Sequence, residues 1–299
     1  MCVGIESSAV AERLNAEHPN KSVPPRMRNS NHSALAKAII KAERTTKERS
    51  PSMNDKERFA DMIRKSKRIV AFTGAGISTE SGIPDFRSAG GLFDRLSGRH
   101  FTGEETLSIG FLETYPELFF RNYAAHFDFS QALPNAGHRF FADLEQTGKE
   151  VTVVTQNIDN LHQSAGSSAI IELHGNGTRW RTFDTAEPAD ANAISMDAHG
   201  IQRDPQGRMV RPDIVLYGEM LNEEAMERAT AAIGAADMLV VIGTSLAVYP
   251  AASFVHYFNG PYAVLLNRTP VPQSLTFQLA VQTDAGAFLA EVWQEFFEK

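Results

Sequence analysis

Six short apolar runs constrain the fold of this 299-residue chain more tightly than any other feature: Arg68 to Thr73, Val151 to Thr155, Ile170 to Leu173, Met238 to Gly243, Tyr262 to Asn267, and a shorter one near Gln278 to Val281. Most are unbroken β-branched or apolar stretches rather than alternating ones, the pattern of strands buried on both faces. Segments of helical length lie between them: Glu57 to Lys65, Pro116 to Phe127, Gly137 to Gln146, Asn222 to Ala235, Pro250 to Phe258 and Ala285 to Phe297. Strands separated by helices pair in parallel, so the expected fold class is α/β, a Rossmann-like parallel sheet with helices on both faces. Residues 88–115 and 175–212 break the alternation. Inserts at strand ends, about 88–130 and 175–212, are expected to build a smaller module over one edge of the sheet.

Residues 1–52 differ from the rest. They carry nine Lys or Arg against five Glu and lack an apolar period, so an extension expected to be disordered precedes a catalytic domain at 53–299. The overall charge of −7 disfavours direct nucleic-acid binding, which needs clustered cations. No apolar stretch approaches the ~20 residues of a membrane span and the first ten residues lack a secretory pattern, so no membrane association and a cytoplasmic location are expected. Cys2 is the only cysteine, which excludes a disulfide framework and any multi-cysteine zinc site.

Four places at strand ends combine residues that a simple turn does not need. After the first strand, Gly74, Ala75 and Gly76 can bring backbone N–H groups to a phosphate, with Ser78 and Thr79 offering hydroxyls; a plain strand-to-helix turn explains the glycines equally well. Asp85, Phe86 and Arg87 follow, and Arg can fork onto phosphate while Phe covers a planar ring. Gln156, Asn157 and Asp159 open the second strand into the crevice, as ligand-binding groups or as helix caps. His174 directly follows an apolar strand, where a neutral imidazole can act as a general base; the other histidines are left without a task. Gly243, Thr244 and Ser245 end the fourth strand, Asn267 ends the fifth, and Ala285 follows the sixth.

These residues occur in "GAGISTESGIPDFRS", "TQNID", "ELHGN", "RPDIVLYGE", "GTSLAVYPAA" and "LLN", and the chain from Met53 onward resembles the sirtuins, the NAD-dependent protein deacylases. The resemblance implies that Gly74, Ala75, Gly76, Thr79, Asp85, Phe86 and Arg87 lie against NAD, which is consumed as a co-substrate. It implies that Gln156, Asn157 and Asp159 hold nicotinamide and its ribose, and that Gly243, Thr244, Ser245, Asn267 and Ala285 hold the adenosine half. Catalysis would rest on His174 as base with Asn157, Asp159 and Ser78. Val215, Leu216, Tyr217, Gly218, Glu219 and Val248 would bind an acyl-lysine peptide, partly through main-chain hydrogen bonds.

The chain departs from the family at two points. Sirtuins usually hold a structural zinc on four cysteines in the small module. Here those positions fall at or near Thr182, Thr185, Arg203 and Gln206, so no metal is expected. The helix "PELFFRNYAAHF" lacks the Tyr and Arg three residues apart of members that remove acidic acyl groups, which favours a neutral acyl group. Two other readings stay open: ADP-ribosyl transfer or NAD hydrolysis by the same site, and a non-enzymatic NAD-sensing module. An ordinary dehydrogenase fits less well, because the fingerprint lacks its third glycine.

Overall fold

The computed structural model describes residues 53–271 and 275–298; the expectation for residues 1–52 lies outside them. The domain starts with α1 (Asp55–Lys65), β1 (Arg68–Thr73) and a 3-10 helix Ala75–Ser81. Asn54 caps α1 by accepting from Glu57 N at 2.9 Å, while the Glu57 carboxylate accepts from Asn54 N at 2.8 Å. Phe59, Ala60 and Ile63 form the buried face of α1. A helical insert follows: α2 (Leu92–Leu96), α3 (Gly103–Thr106), α4 (Ile109–Thr114) and α5 (Pro116–His126). Then come α6 (Ala136–Gln146), β2 (Glu150–Thr155), α7 (Leu161–Ala165) and β3 (Ile170–Glu172). The second insert contains β4 (Gly175–Thr182), β5 (Pro188–Ala189), β6 (Ser195–Met196), β7 (Gln202–Arg203) and β8 (Val210–Ile214). The chain closes with α8 (Glu223–Ala235), β9 (Met238–Ile242), a 3-10 helix Ala251–Tyr257, β10 (Tyr262–Asn267), β11 (Leu279–Gln282) and α9 (Ala285–Phe296).

Six strands form one sheet in the order β11-β10-β9-β1-β2-β3, and every pair is parallel. This is the α/β sheet that the apolar runs imply. Its order reverses between β1 and β9, so the crevice for a ligand opens at their carboxyl ends. Two apolar clusters cover its faces. One includes Phe59, Phe140, Phe141, Leu289 and Val292, and the other Ile233, Phe254, Val255 and Phe258. Among the described residues, no helix is long and apolar enough to cross a membrane.

A third apolar cluster joins the two inserts: Leu112, Phe119, Phe120 and Tyr123 from the helices meet Ile201, Ile214 and Leu216 from the strands. Here β5, β4 and β8 form a three-stranded antiparallel sheet, with β6 and β7 as a separate hairpin. Residues 175–212 show no period in the sequence because β5, β6 and β7 are two residues each and β4 carries a register shift between Asn176 and Trp180. The segment expected as a helix from Pro250 is wound as a 3-10 helix, a form suited to short pieces.

Candidate active site

The crevice is shaped first by glycine. Gly74 N donates to Ile242 O at 3.0 Å and Gly76 N to Gly243 O at 2.8 Å, so the loops after β1 and β9 touch through bare backbone. A Cβ on Gly76 would sit 2.6 Å from Gly243 Cα, and one on Gly243, whose φ is +59°, would sit 2.3 Å from Ile77 N. These glycines are therefore demanded by the close approach of the two loops, whose joined backbone floors the crevice.

Above this floor lies a cavity of ≈ 490 Å³. Of the residues expected to bind cofactor, Gly74, Ala75, Gly76, Thr79, Asp85, Phe86, Arg87, Gln156, Asn157, His174, Gly243, Thr244, Ser245, Asn267 and Ala285 line it; so do Val215, Leu216, Tyr217, Gly218, Glu219 and Val248. Ser78 and Asp159 do not line it. They stand one layer behind, because Ser78 lies on the buried face of its 3-10 helix and the Asp159 carboxylate turns back to Leu161 N, 3.0 Å away. Asp159 thus accepts from the first residue of α7, while the N-cap position itself is Asn160, whose side chain makes no capping bond. Lining residues not singled out in the sequence include Leu107, Phe127, Ile158 and Arg268. Leu107 and Phe127 come from the helical insert, whose packing no local pattern discloses.

His174 Nδ1 lies 2.9 Å from the Gln156 carbonyl oxygen. A carbonyl can only accept, so Nδ1 carries the proton and Nε2 of the neutral ring keeps its lone pair. Burial lowers the pKa of His174 below its ordinary value, and the Gln156 carbonyl works in the opposite direction. Gln156 Nε2 donates to Thr244 Oγ1 at 3.2 Å, tying the ends of β2 and β9 together.

Behind Asn157 runs a buried polar network. Ser78 Oγ donates to Asp159 Oδ2 at 2.6 Å and accepts from Asn157 Nδ2 at 3.1 Å. Asn157 Nδ2 also reaches Asp159 Oδ2 at 3.3 Å, which leaves its Oδ1 as the amide end available to the cavity. His138 Nδ1 accepts from Asn135 N at 3.3 Å, so its Nε2–H is the donor facing Ser78 Oγ, also 3.3 Å away. On the other side, Thr155 Oγ1 accepts from Asn157 N at 3.0 Å and from Thr73 Oγ1 at 2.9 Å, and His162 Nε2 lies 3.1 Å from Thr73 Oγ1. The two imidazoles pack edge to face at 4.8 Å. Both are buried and neutral: desolvation pushes His138 down to about 4 and His162 well below the ordinary value. Asp159 moves upward, chiefly through burial, against the pull of Ser78. His138 and His162 therefore have a task that sequence reasoning missed. For His138 alone the sequence carries a hint of burial, since it shares a helix face with Phe141 and Leu144, but not of its partners.

The cavity wall at residues 214–219 is held by an ion pair between buried Arg211 and half-buried Glu219. Arg211, 2% exposed, donates through Nη1 to Glu219 Oε1 at 2.7 Å and through Nη2 to Glu219 Oε2 at 2.9 Å. Glu219 Oε2 also accepts from Leu216 N at 2.8 Å. Tyr217 is already paired, with its N–H on Leu107 O and its C=O on Ile109 N. Backbone pairing with a further chain thus falls to the remaining groups of Val215 and Gly218. Arg121 is exposed, so it does not project into the cavity.

A crevice at the sheet reversal, glycines under it and a tautomer-locked histidine beside an amide narrow the comparison to one family. A model of the Sir2 family matches residues 74–250. The chain belongs to the Sir2 family. A Cutibacterium acnes protein named NAD-dependent protein deacetylase is 45% identical over 236 residues, spanning 79% of this chain and 96% of that one. A solved Sir2 complex described as holding a p53 peptide and NAD+ superposes with a TM-score of 0.71 at 33% identity, over 81% of this chain and 98% of that one. Another, described as Sir2 bound to acetylated peptide, gives 0.70 at 33% identity over 81% and 98%. As a Sir2 protein, the chain has the Rossmann-like sheet of those structures.

Proposed function

We propose that this Sir2 protein is an NAD-dependent protein lysine deacylase that transfers the acyl group to ADP-ribose and releases nicotinamide. The observation that carries the reading is His174, a neutral base with its lone pair on Nε2, at the wall of a cavity floored by Gly74, Gly76 and Gly243. NAD supplies the ribose whose bond to nicotinamide breaks as the acyl oxygen attacks C1′. Gly74 and Gly76 let the loop after β1 close onto the loop after β9, where a side chain at either would collide, and this joined backbone is the floor on which the dinucleotide would lie. Asn157 orients the ribose through Oδ1, His174 Nε2 takes the proton of a ribose hydroxyl, and Phe86 excludes water. The apolar side chains of Leu107, Phe127, Ile158 and Val248 suit an uncharged acyl-lysine stem.

The names of the relatives support deacetylation over the alternative, ADP-ribosyl transfer or NAD hydrolysis. Zinc has no part in this proposal. Thr182, Thr185, Arg203 and Gln206 stand where ligands would be needed, and among the described residues no three His, Cys, Asp or Glu gather to hold a metal. The test is incubation with NAD and an acetyl-lysine peptide. Nicotinamide and O-acetyl-ADP-ribose are expected in equal amounts, and nicotinamide without acyl transfer would move the assignment to the alternative.

A further inference from the structure

The resemblance to sirtuins implies four metal ligands in the small module, and the residues present do not fit. Thr182 and Thr185 spend their hydroxyls on each other, 2.8 Å apart, while Glu187 N donates to Thr182 Oγ1 at 3.0 Å, closing the turn between β4 and β5. Arg203 ends β7, and Gln206 lies in the second of two turns built alike that flank this strand, Asp197-Ala-His-Gly200 and Asp204-Pro-Gln-Gly207. In the first, Asp197 Oδ1 accepts from His199 N and Ile201 N at 2.9 and 3.0 Å, and Gly200 has φ +78°. In the second, Asp204 Oδ1 accepts from Gln206 N and Arg208 N at 3.0 and 2.9 Å, and Gly207 also has φ +78°. The second Oδ of each aspartate takes an arginine: Arg203 Nε lies 2.8 Å from Asp197 Oδ2, and Arg208 Nε lies 2.7 Å from Asp204 Oδ2.

One of these arginines spans the two halves. Arg208 Nη1 donates to Glu187 Oε2 at 2.7 Å, so a guanidinium anchored on the buried Asp204 carboxylate grips the turn that carries Thr182 and Thr185. Phe183 N donates to Met209 O at 2.9 Å beside this bridge. A metal shared by two turns fixes one against the other, and the fork of Arg208 makes the same connection with two carboxylates.

We propose that the Glu187-Arg208-Asp204 bridge is the metal-independent clasp of the small module. It fixes the start of β8, and thereby the Arg211-Glu219 wall that faces the peptide. The carboxylates of Asp197, Asp204 and Glu187 are committed to arginines rather than free to ligate a cation, which is why a chain with this arrangement needs no zinc.

The test uses the full chain. Elemental analysis of the purified protein is expected to find no stoichiometric zinc, and phenanthroline or EDTA to leave the melting temperature and the pattern of limited proteolysis unchanged. Arg208→Met is expected to speed cleavage within residues 183–208 by roughly tenfold, because the turns open locally while the sheet stays folded. Glu187→Gln, at the exposed end of the bridge, gives the same effect in smaller measure should the first variant fold poorly. In both, the KM for peptide rises while that for NAD holds. Stoichiometric zinc, a chelator-induced loss of stability, or wild-type cleavage rates in a folded variant would each overturn the clasp. Metal content and cleavage do not depend on turnover, so this outcome is separable from that of the deacylase reading.

Discussion

At the scale of single residues, the pH dependence of the reaction should follow His174. Burial holds its pKa below 6.5, and the Gln156 carbonyl only partly offsets that. Activity needs the neutral ring, so the acid limb of kcat/KM is expected below pH 6.5, with a plateau above it. His174→Ala should lower kcat by about 10²–10⁴-fold, the usual range for a removed acid or base, with NAD binding largely kept. A pH profile with acetylated peptide, alongside NAD titration of the variant, checks both; a limb above 6.5 or an unimpaired variant would remove His174 from its role. His174 and Asn157 were legible in the sequence because each follows an apolar run at a strand's carboxyl end. His138 and His162 were not. Their meaning depends on Thr73, Thr155 and Ser78 converging from three elements, and no spacing within one segment encodes that convergence.

Between elements, the decisive contact is the one between the loops that follow β1 and β9. Gly243→Ala must place its Cβ 2.3 Å from Ile77 N in a left-handed conformation. Forcing a methyl into so tight a space costs about 3 kcal/mol, which lowers the melting temperature by roughly 6–12 °C in a domain of this size. NAD binding should weaken with it, since the displaced backbone forms the cavity floor. Gly82→Ala is the control: its φ is +86° but a Cβ there meets nothing within 4 Å, so only the backbone strain of about 1–2 kcal/mol is paid. Equal melting temperatures for the two variants would show that the loops are not in obligatory contact. Strand order is seen only in the structure, but the parallel sheet with helices on both faces followed from the alternation of apolar runs and helices. The small module did not. Its strands are too short for a period, although D-P-Q-G at residues 204–207 carries the signature of a type I turn, with Asp first, Pro second and Gly fourth.

The whole molecule should be most sensitive to mild acid. In the unfolded chain a histidine binds its proton near pH 6.5, whereas folded His138 resists it until about 4, and burial holds His162 well below the ordinary value too. Between those values the unfolded state binds more protons, so stability rises with pH and is lost as pH falls from 6.5 toward 4. For His138 alone that gap corresponds to about 3 kcal/mol. His162 and His174 act in the same direction. Asp159 acts against them: burial raises its pKa, so its ionised form costs stability at neutral pH and that cost is relieved as pH falls toward the carboxylate range. The denaturant midpoint is therefore expected to fall from pH 7 to 5, with Asp159 opposing part of the fall, and His138→Phe should flatten the slope. A midpoint constant over that range would mean that water reaches these imidazoles and that the network behind Asn157 is open rather than buried.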